Sequence, residues 1–286
     1  MRTILILKEF SAKAADSLVL LGDISCLFNN PIIAIPVSGK EVFCTLKYEE
    51  TGSLSINGLK NSETAVVKLV LSNLKLRGAL SFVFEYPDDI KPHAKLAAAL
   101  LCITKLSKHL GLKTPKTALF SNQFFSTIRR LPFVACLISS YLNKPVAVRI
   151  REGFITLNLT KSFKLLYIPL NLPKPRIFRV SKFEDIYIPI THALGHISIA
   201  FSQVMKNGDL NSLFDLLELE SKLTLSLLEN PYMISCALMK VKGLVKAARY
   251  SYHHHALIIP YVKQNKNLKN LMSLYSNARL LKVSAT

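Results

Sequence analysis

Four residues near the middle of the sequence have side chains suited to binding phosphate. The hydroxyls of Ser126 and Thr127 can contact a phosphate or Mg²⁺, and Arg129 and Arg130 follow just before a predicted helix. Guanidinium groups bind phosphate oxygens through paired hydrogen bonds. We therefore expect an anion clamp at this point, and a solvated turn ahead of a core helix is the alternative.

Three consecutive histidines, His253, His254 and His255, precede a predicted strand. Neighbouring side chains of an extended segment point to opposite sides, so the three imidazoles cannot all face one metal ion. No acid or thiol lies close to them in the sequence to complete a site. We predict no metal site here. The histidines either fill or face a cleft, where they can contact an anion, or form a plain surface turn.

The charge of the chain is uneven as well as large. The net charge is +19 over 286 residues, Glu152 is the sole carboxylate between Lys91 and Lys182, and no Asp or Glu follows Glu229. Such asymmetry favours anionic partners, which include nucleotides, phosphorylated metabolites, nucleic acid and acidic proteins. General solubilisation by a basic surface is the alternative interpretation.

The cysteines and the apolar segments indicate a cytoplasmic protein. The five cysteines are scattered among apolar neighbours, without a Cys-x-x-Cys pair, which predicts buried free thiols in a reducing compartment. They are Cys26, Cys44, Cys102, Cys136 and Cys236. The longest uncharged stretch, residues 186–205, carries too many polar residues to favour a membrane span.

The elements that must position these residues form a mixed pattern. Strands are predicted at residues 3–10, 18–21, 31–37, 41–48, 54–57, 79–86, 146–150, 154–159, 165–170, 256–262 and 280–283. Helices are predicted from residue 62 to about 78 and at about 92–109, 132–141, 186–205, 210–228, 232–250 and 268–275. Strands and helices alternate without a regular βαβ order, so the fold class is α+β. The proline-spaced residues 169–175 give the best domain boundary.

A family resemblance becomes specific at residues 14–37. Mevalonate kinases open with Ala-Pro-Gly-Lys and an apolar strand, then Gly-Glu-His, then an apolar stretch ending in Tyr-Gly-x-Pro-Ala. Here Gly22, Asp23, Phe28 and Pro31 occur at the matching spacing, while Ala15-Asp16-Ser17 replaces Pro-Gly-Lys. The chain thus resembles the GHMP small-molecule kinase superfamily, and Asp23 takes the position of an acid that faces the substrate cleft.

The resemblance also shows which parts of a kinase are altered. The family's glycine-rich phosphate loop corresponds to residues 121–131, yet no glycine occurs between Leu112 and Glu152, and Phe124 and Phe125 are too bulky for a phosphate cradle. The C-terminal glycine motif, which packs against the nucleotide, corresponds to residues 250–262, where His253 and His254 stand. These histidines, Ser126, Thr127, Arg129 and Arg130 are therefore the nucleotide-binding candidates.

Phosphoryl transfer in this family uses a Glu that holds Mg²⁺ and, in mevalonate kinases, an Asp that takes the substrate proton. Mg²⁺ prefers carboxylate oxygens, and a catalytic base must accept a proton. From Leu131 to Phe183 only Glu152 could serve, and one carboxylate cannot fill both roles. The sequence therefore argues against ordinary catalysis and leaves enzymatic activity undecided, with no catalytic residue assigned.

The resemblance implies two lobes around a shared cleft. Residues 1–172 are expected to form a ribosomal-S5-domain-2-like lobe and residues 173–286 a ferredoxin-like lobe. The resulting hypothesis is a pseudokinase with weak or no phosphotransfer that binds an anionic ligand or a partner in the cleft. The alternatives are an active kinase, using ATP and Mg²⁺ on a small alcohol such as mevalonate or homoserine, and a basic nucleic-acid-binding protein.

Overall fold

The computed structural model describes residues 7–51, 53–72, 74, 76–87, 90–114, 130–150, 152–178, 184–263 and 266–286. Its contacts divide the chain into two compact units, which we call unit 1 (Met1–Ser17 and Gly39–Asn143) and unit 2 (Leu18–Ser38 and Lys144–Thr286). These contacts place residues 144–172 in unit 2. The boundary between two lobes, which the sequence predicts between residues 172 and 173, stays a prediction.

The α+β class predicted from the sequence is confirmed. The strands are β1 (Lys8–Leu21), β2 (Ile32–Glu49), β3 (Ser55–Asn57), β4 (Ala79–Glu85), β5 (Val146–Arg149), β6 (Gly153–Thr156), β7 (Phe163–Pro169), β8 (Arg249–Ser251), β9 (Ala256–Tyr261) and β10 (Arg279–Val283). The helices are α1 (Asn61–Ser72), α2 (Pro92–His109), α3 (Leu131–Leu142), α4 (Glu184–Asn207), α5 (Leu210–Leu225), α6 (Tyr232–Lys242) and α7 (Lys266–Leu274). Among the described residues, no helix is long and apolar enough to cross a membrane.

Unit 1 combines a sheet with the helices α1, α2 and α3. The second half of β2 pairs antiparallel with β4, from Phe43 opposite Glu85 to Glu49 opposite Ala79, and β3 pairs parallel with β4. Alternate residues of β2 are buried, as expected for a strand with one face on a core. The helices α2 and α3 pack against each other and carry long runs of buried apolar side chains.

Unit 2 contains a sheet with helices on both faces. The antiparallel order is β10, β7, β9 and β8, and the first part of β2 pairs with β5 and with β10. Leu165 and Tyr167 of β7 join one apolar cluster with α4 and α5. Leu166 and Ile168 join a second cluster with α6 and α7. This part of the sheet is therefore buried on both faces.

Three elements differ from the prediction. Residues 8–10 of the strand expected at residues 3–10 and the strand expected at residues 18–21 belong to the single strand β1, and β2 continues through Gly39, which adopts a φ of 90° without forming the expected turn. The helix expected at residues 232–250 ends at Lys242, with Gly243 as its C-cap. The remainder includes β8, which forms because it pairs with β9.

Candidate functional site

The end of β1 positions an acid in unit 2. Gly22 follows the strand with a φ of 85°, and a Cβ there would lie 2.4 Å from the Pro31 carbonyl oxygen, so a glycine is required. The N–H of Gly22 donates to Glu220 Oε1 at 3.2 Å. This sharp turn directs Asp23, the next residue, into the interior, where the side chain is fully buried.

A buried ion network surrounds Asp23. Arg249 Nη2 donates to Asp23 Oδ1 at 2.7 Å, and Arg249 Nε donates to Glu220 Oε2 at 2.6 Å. All three side chains have no exposed surface. Burial alone would lower the pKa of Arg249, but attraction to the two carboxylates outweighs it and raises that pKa. The guanidinium is therefore a permanent cation that holds α5, β8 and the end of β1 together.

The remaining oxygen of Asp23 fixes the segment between β8 and β9. Asp23 Oδ2 accepts from Ser251 Oγ at 2.9 Å and from the backbone N–H of His253 at 3.0 Å. We call residues 251–255 the histidine turn. Both carboxylate oxygens of Asp23 are thus occupied by internal donors, so its role in this structure is to anchor the turn.

The imidazoles of the histidine turn are half-buried and have defined roles. His254 Nε2 accepts from the Val19 N–H at 3.0 Å, so the proton of a neutral ring lies on Nδ1. His255 Nε2 lies 2.7 Å from the Leu172 carbonyl oxygen, which can only accept. His255 Nδ1 lies 2.9 Å from the Tyr250 hydroxyl oxygen. Both ring nitrogens of His255 thus have a partner, and its backbone adopts a left-handed φ of 49°.

The histidine turn also has a cation beside it. Lys174 Nζ lies 4.2 Å from the centre of the Tyr252 ring. Desolvation lowers the pKa of Lys174, and the negative charge of Asp23 opposes that shift. The rings of His253 and His254 contact each other edge to face, with centres 4.7 Å apart. Imidazole N–H groups in the turn, with an ammonium group against its Tyr252 ring, are suited to contact an anion.

The structure places some of the predicted site residues, while their predicted roles stay predictions. His253 and His254 are brought together with Asp23 through the contacts above. Arg130 is exposed immediately before α3, where its carbonyl oxygen accepts from Val134 N–H at 3.1 Å. Ser126, Thr127 and Arg129 lie outside the described residues. The anion clamp, and a substrate contact by Asp23, therefore stay predictions.

Unit 1 contains a second buried polar cluster. It includes Asp16 and Ser17, two of the residues that replace Pro-Gly-Lys in the family motif. Asp16 Oδ1 lies 2.9 Å from His93 Nε2, and both side chains are almost fully buried. Ser17 Oγ lies 2.7 Å from Ser140 Oγ of α3. Each of these groups has its contact inside unit 1, so the cluster serves packing of β1 against α2 and α3.

Sequence reasoning missed Glu220 and Arg249, although a signal for each exists. Leu213, Leu217, Glu220 and Thr224 recur at intervals of three or four residues and are all buried in α5, so Glu220 is an acid on an apolar stripe. Arg249 follows two alanines and precedes Tyr250, so it is a charged residue between largely apolar neighbours. A charge at such a position requires a buried partner.

The described residues do not fit a Mg²⁺–nucleotide site of the kinase type. The helix α3, which follows the predicted phosphate loop, contains neither Asp nor Glu. Within the part of the chain that the structure describes, no group of three or more His, Cys, Asp or Glu residues is arranged to hold a metal ion. The acids Asp16, Asp23 and Glu220 are engaged with His93 and Arg249.

Comparisons with known proteins define the class of fold. Among similar solved structures, mevalonate kinase from L. major is 12% identical with a TM-score of 0.71, covering 100% of this chain and 98% of that one. Mevalonate diphosphate decarboxylase from Staphylococcus aureus is 11% identical with a TM-score of 0.67, covering 98% and 97%. Mevalonate-3-kinase from Thermoplasma acidophilum is 10% identical with a TM-score of 0.60, covering 98% and 97%.

These similarities show that the chain has the fold of the GHMP-kinase superfamily, as the sequence motif predicted. More particularly, it has the fold shared by mevalonate kinases and mevalonate diphosphate decarboxylases. No protein-family model matches the sequence, and no curated protein matches it by sequence. The similarity therefore concerns the fold, and the function has to be inferred from the residues.

Proposed function

We propose that this chain is a GHMP-kinase-like pseudokinase, with weak or no phosphotransfer, that binds an anionic ligand at the histidine turn. The ligand class is a nucleotide or a phosphorylated metabolite. One observation carries the proposal: the carboxylate nearest the turn, that of Asp23, is ion-paired with Arg249 and bonded to Ser251 and the His253 N–H, so internal donors occupy both of its oxygens. The imidazoles of the turn and the ammonium group of Lys174 beside Tyr252 are the groups proposed to contact the anion.

The distribution of carboxylates supports weak or absent catalysis. A metal-binding acid must present free oxygens to Mg²⁺, and a catalytic base must present one to the substrate. Asp23 and Glu220 have no free oxygen to present, because their oxygens already accept hydrogen bonds from Arg249, Ser251 and backbone N–H groups. The helix α3 has no acid to contribute.

The histidine turn supports anion binding through its rigidity. Its backbone is bonded to Asp23, and His254 is bonded to Val19. Donors that are held in place before a ligand arrives lose little conformational entropy on binding. The region that follows Glu229 contains no acid to repel an anion. Lys174 adds a positive charge beside Tyr252.

An active ATP-dependent kinase of a small alcohol is the second candidate. The specific observation in its favour is the full-length similarity to mevalonate kinase from L. major. This candidate requires a magnesium site that the described residues do not supply. ATP and Mg²⁺ would be cofactors of this protein only if it is an active kinase.

The test is calorimetric titration of the full chain with ATP, ADP and pyrophosphate, each with and without Mg²⁺. We expect binding that does not require Mg²⁺ and no release of ADP with a panel of alcohols that includes mevalonate and homoserine. Lys174→Gln and His253→Ala should each weaken binding by about tenfold, the usual contribution of a hydrogen bond to a charged group.

His192→Ala is the matched control, because His192 is an exposed histidine of α4 in the same unit. It should leave the affinity unchanged. Magnesium-dependent turnover of any alcohol would replace the proposal with the kinase. The nucleic-acid alternative would be favoured if the affinity for every anion fell steeply as the salt concentration rose and nucleic acid bound more tightly than the other anions.

A further inference from the structure

Unit 2 contains an open cavity of about 440 Å³ whose lining includes no residue of the histidine turn. This volume falls in the range of roughly 300–1,000 Å³ that is typical of small-molecule sites. Its walls come from three segments: the residues at and after the end of β7, the exposed face of α6, and the link between α7 and β10.

One wall of the cavity is a single face of α6. Met233, Cys236, Ala237 and Lys240 all line it, and their spacing of three and four residues puts them on one side of the helix. The rest of the lining includes the apolar residues Leu170, Leu172 and Leu274. Met233 is 51% exposed and Leu274 is 71% exposed. Large apolar side chains are therefore left uncovered around the cavity.

Lys240 is the one charged residue in the described lining of the cavity. It forms no ion pair within the described residues, whereas its neighbour Lys242 pairs with Glu218 at 2.9 Å. Lys240 lies roughly 10 Å along the helix from Met233, given the usual rise of about 1.5 Å per residue. The cavity thus joins an apolar wall to a single positive charge at its end.

We propose that this cavity binds a small amphipathic anion, namely an unbranched alkyl chain with a carboxylate head. The chain packs against α6 and the leucines of the lining, where burial of apolar surface stabilises it. The carboxylate pairs with the ammonium group of Lys240. Met233 adapts its flexible side chain to the alkyl chain, as methionines do at binding surfaces.

Cys236 provides a direct report of occupancy because its thiol lines the cavity and is only partly buried. The other four cysteines are buried. In the native full chain, a haloacetamide should therefore alkylate Cys236 first, which mass spectrometry can verify. We expect decanoate to slow this alkylation in a saturable manner, whereas the neutral alcohol decanol should protect more weakly.

Two lysine variants distinguish specific binding in the cavity from nonspecific adsorption of a detergent-like molecule. Lys240→Gln should raise the decanoate concentration needed for half-protection by about tenfold or more, in line with the strength of charge-assisted hydrogen bonds. Lys242→Gln, with its charge two residues away and paired with Glu218, should leave that concentration unchanged. Both side chains are exposed, so neither substitution should prevent folding.

Ala237→Trp supplies an independent check, because the larger side chain fills the cavity. It should slow alkylation without decanoate and abolish the further effect of decanoate. The proposal is overturned if decanoate leaves the alkylation rate of the native chain unchanged, or protects Lys240→Gln and native chains equally. This readout involves no nucleotide, so its result is separate from that of the anion titration.

Discussion

Each unit buries a carboxylate from the same stretch of chain, Asp16 in unit 1 and Asp23 in unit 2, and the two are stabilised differently. Asp23 receives hydrogen bonds from Arg249, Ser251 and the His253 N–H. Asp16 accepts one from the N–H of its neighbour Ser17 at 2.9 Å. His93 Nε2 lies 2.9 Å from Asp16 without hydrogen-bond geometry.

The difference shows how a buried charge can organise a fold. A buried carboxylate is tolerated only where its lost hydration is replaced. Around Asp23 the replacement comes from residues far apart in the sequence, so the network joins β1, α5 and β8. Around Asp16 the replacement is an imidazole of α2 and a local N–H. Unit 2 should therefore depend much more strongly on its network than unit 1 does on its pair.

The largest effect is expected for Arg249→Met. Removing the guanidinium leaves Asp23 and Glu220 buried without their cation, which costs about 3–5 kcal/mol in comparable cases. Denaturant unfolding of the full chain measures the loss. Arg149→Met is the matched control, because Arg149 forms a partly exposed pair with Glu152 and donates to the Asn29 carbonyl oxygen at 2.7 Å. An exposed pair contributes at most about 1 kcal/mol, and a single hydrogen bond adds about 1 kcal/mol. Similar losses for both variants would contradict the comparison.

The second effect concerns Gly22, whose N–H completes the network by donating to Glu220. Gly22→Ala forces a side chain into a left-handed φ and within 2.4 Å of the Pro31 carbonyl oxygen. Gly39→Ala shares the positive φ but meets nothing within 4 Å. The φ penalty is about 1–2 kcal/mol, and the collision should add about 1–3 kcal/mol for Gly22 alone. Equal free energies of unfolding for the two variants would show that Pro31 moves aside freely.

The contrast between local and long-range features also explains what the sequence could predict. The bounds of α2 followed from Pro92 at its start and Gly111 after its end, because helix ends are set by neighbouring residues. The pairing of Glu220 with Arg249 spans 29 residues, and no local pattern specifies it. The short strand β8 was predicted as helix because only its pairing with β9 makes it a strand.

For the candidate site, too, the sequence predicted the local features and missed the long-range contacts. The family motif placed Gly22 and Asp23 correctly at a turn after a strand, since glycine spacing is visible in the sequence. It suggests a substrate contact for Asp23, which stays a prediction, and it gave no sign that this carboxylate is engaged by Arg249. Whether an acid faces a ligand or a buried cation depends on a residue more than two hundred positions away, which the motif cannot show.

The smallest effect is expected for the pair in unit 1. In a double-mutant cycle with Asp16→Asn and His93→Gln, the coupling free energy should be about 1–2 kcal/mol, as for residues in direct contact. A cycle with Asp23→Asn and Arg249→Gln should give a larger value, because that pair combines opposite charges with a 2.7 Å hydrogen bond. Equal couplings would mean that the Asp16 pair is as strongly bonded as the network. A coupling near zero would mean that His93 only fills space beside Asp16, so that burial of this acid depends on Ser17 and the surrounding packing alone.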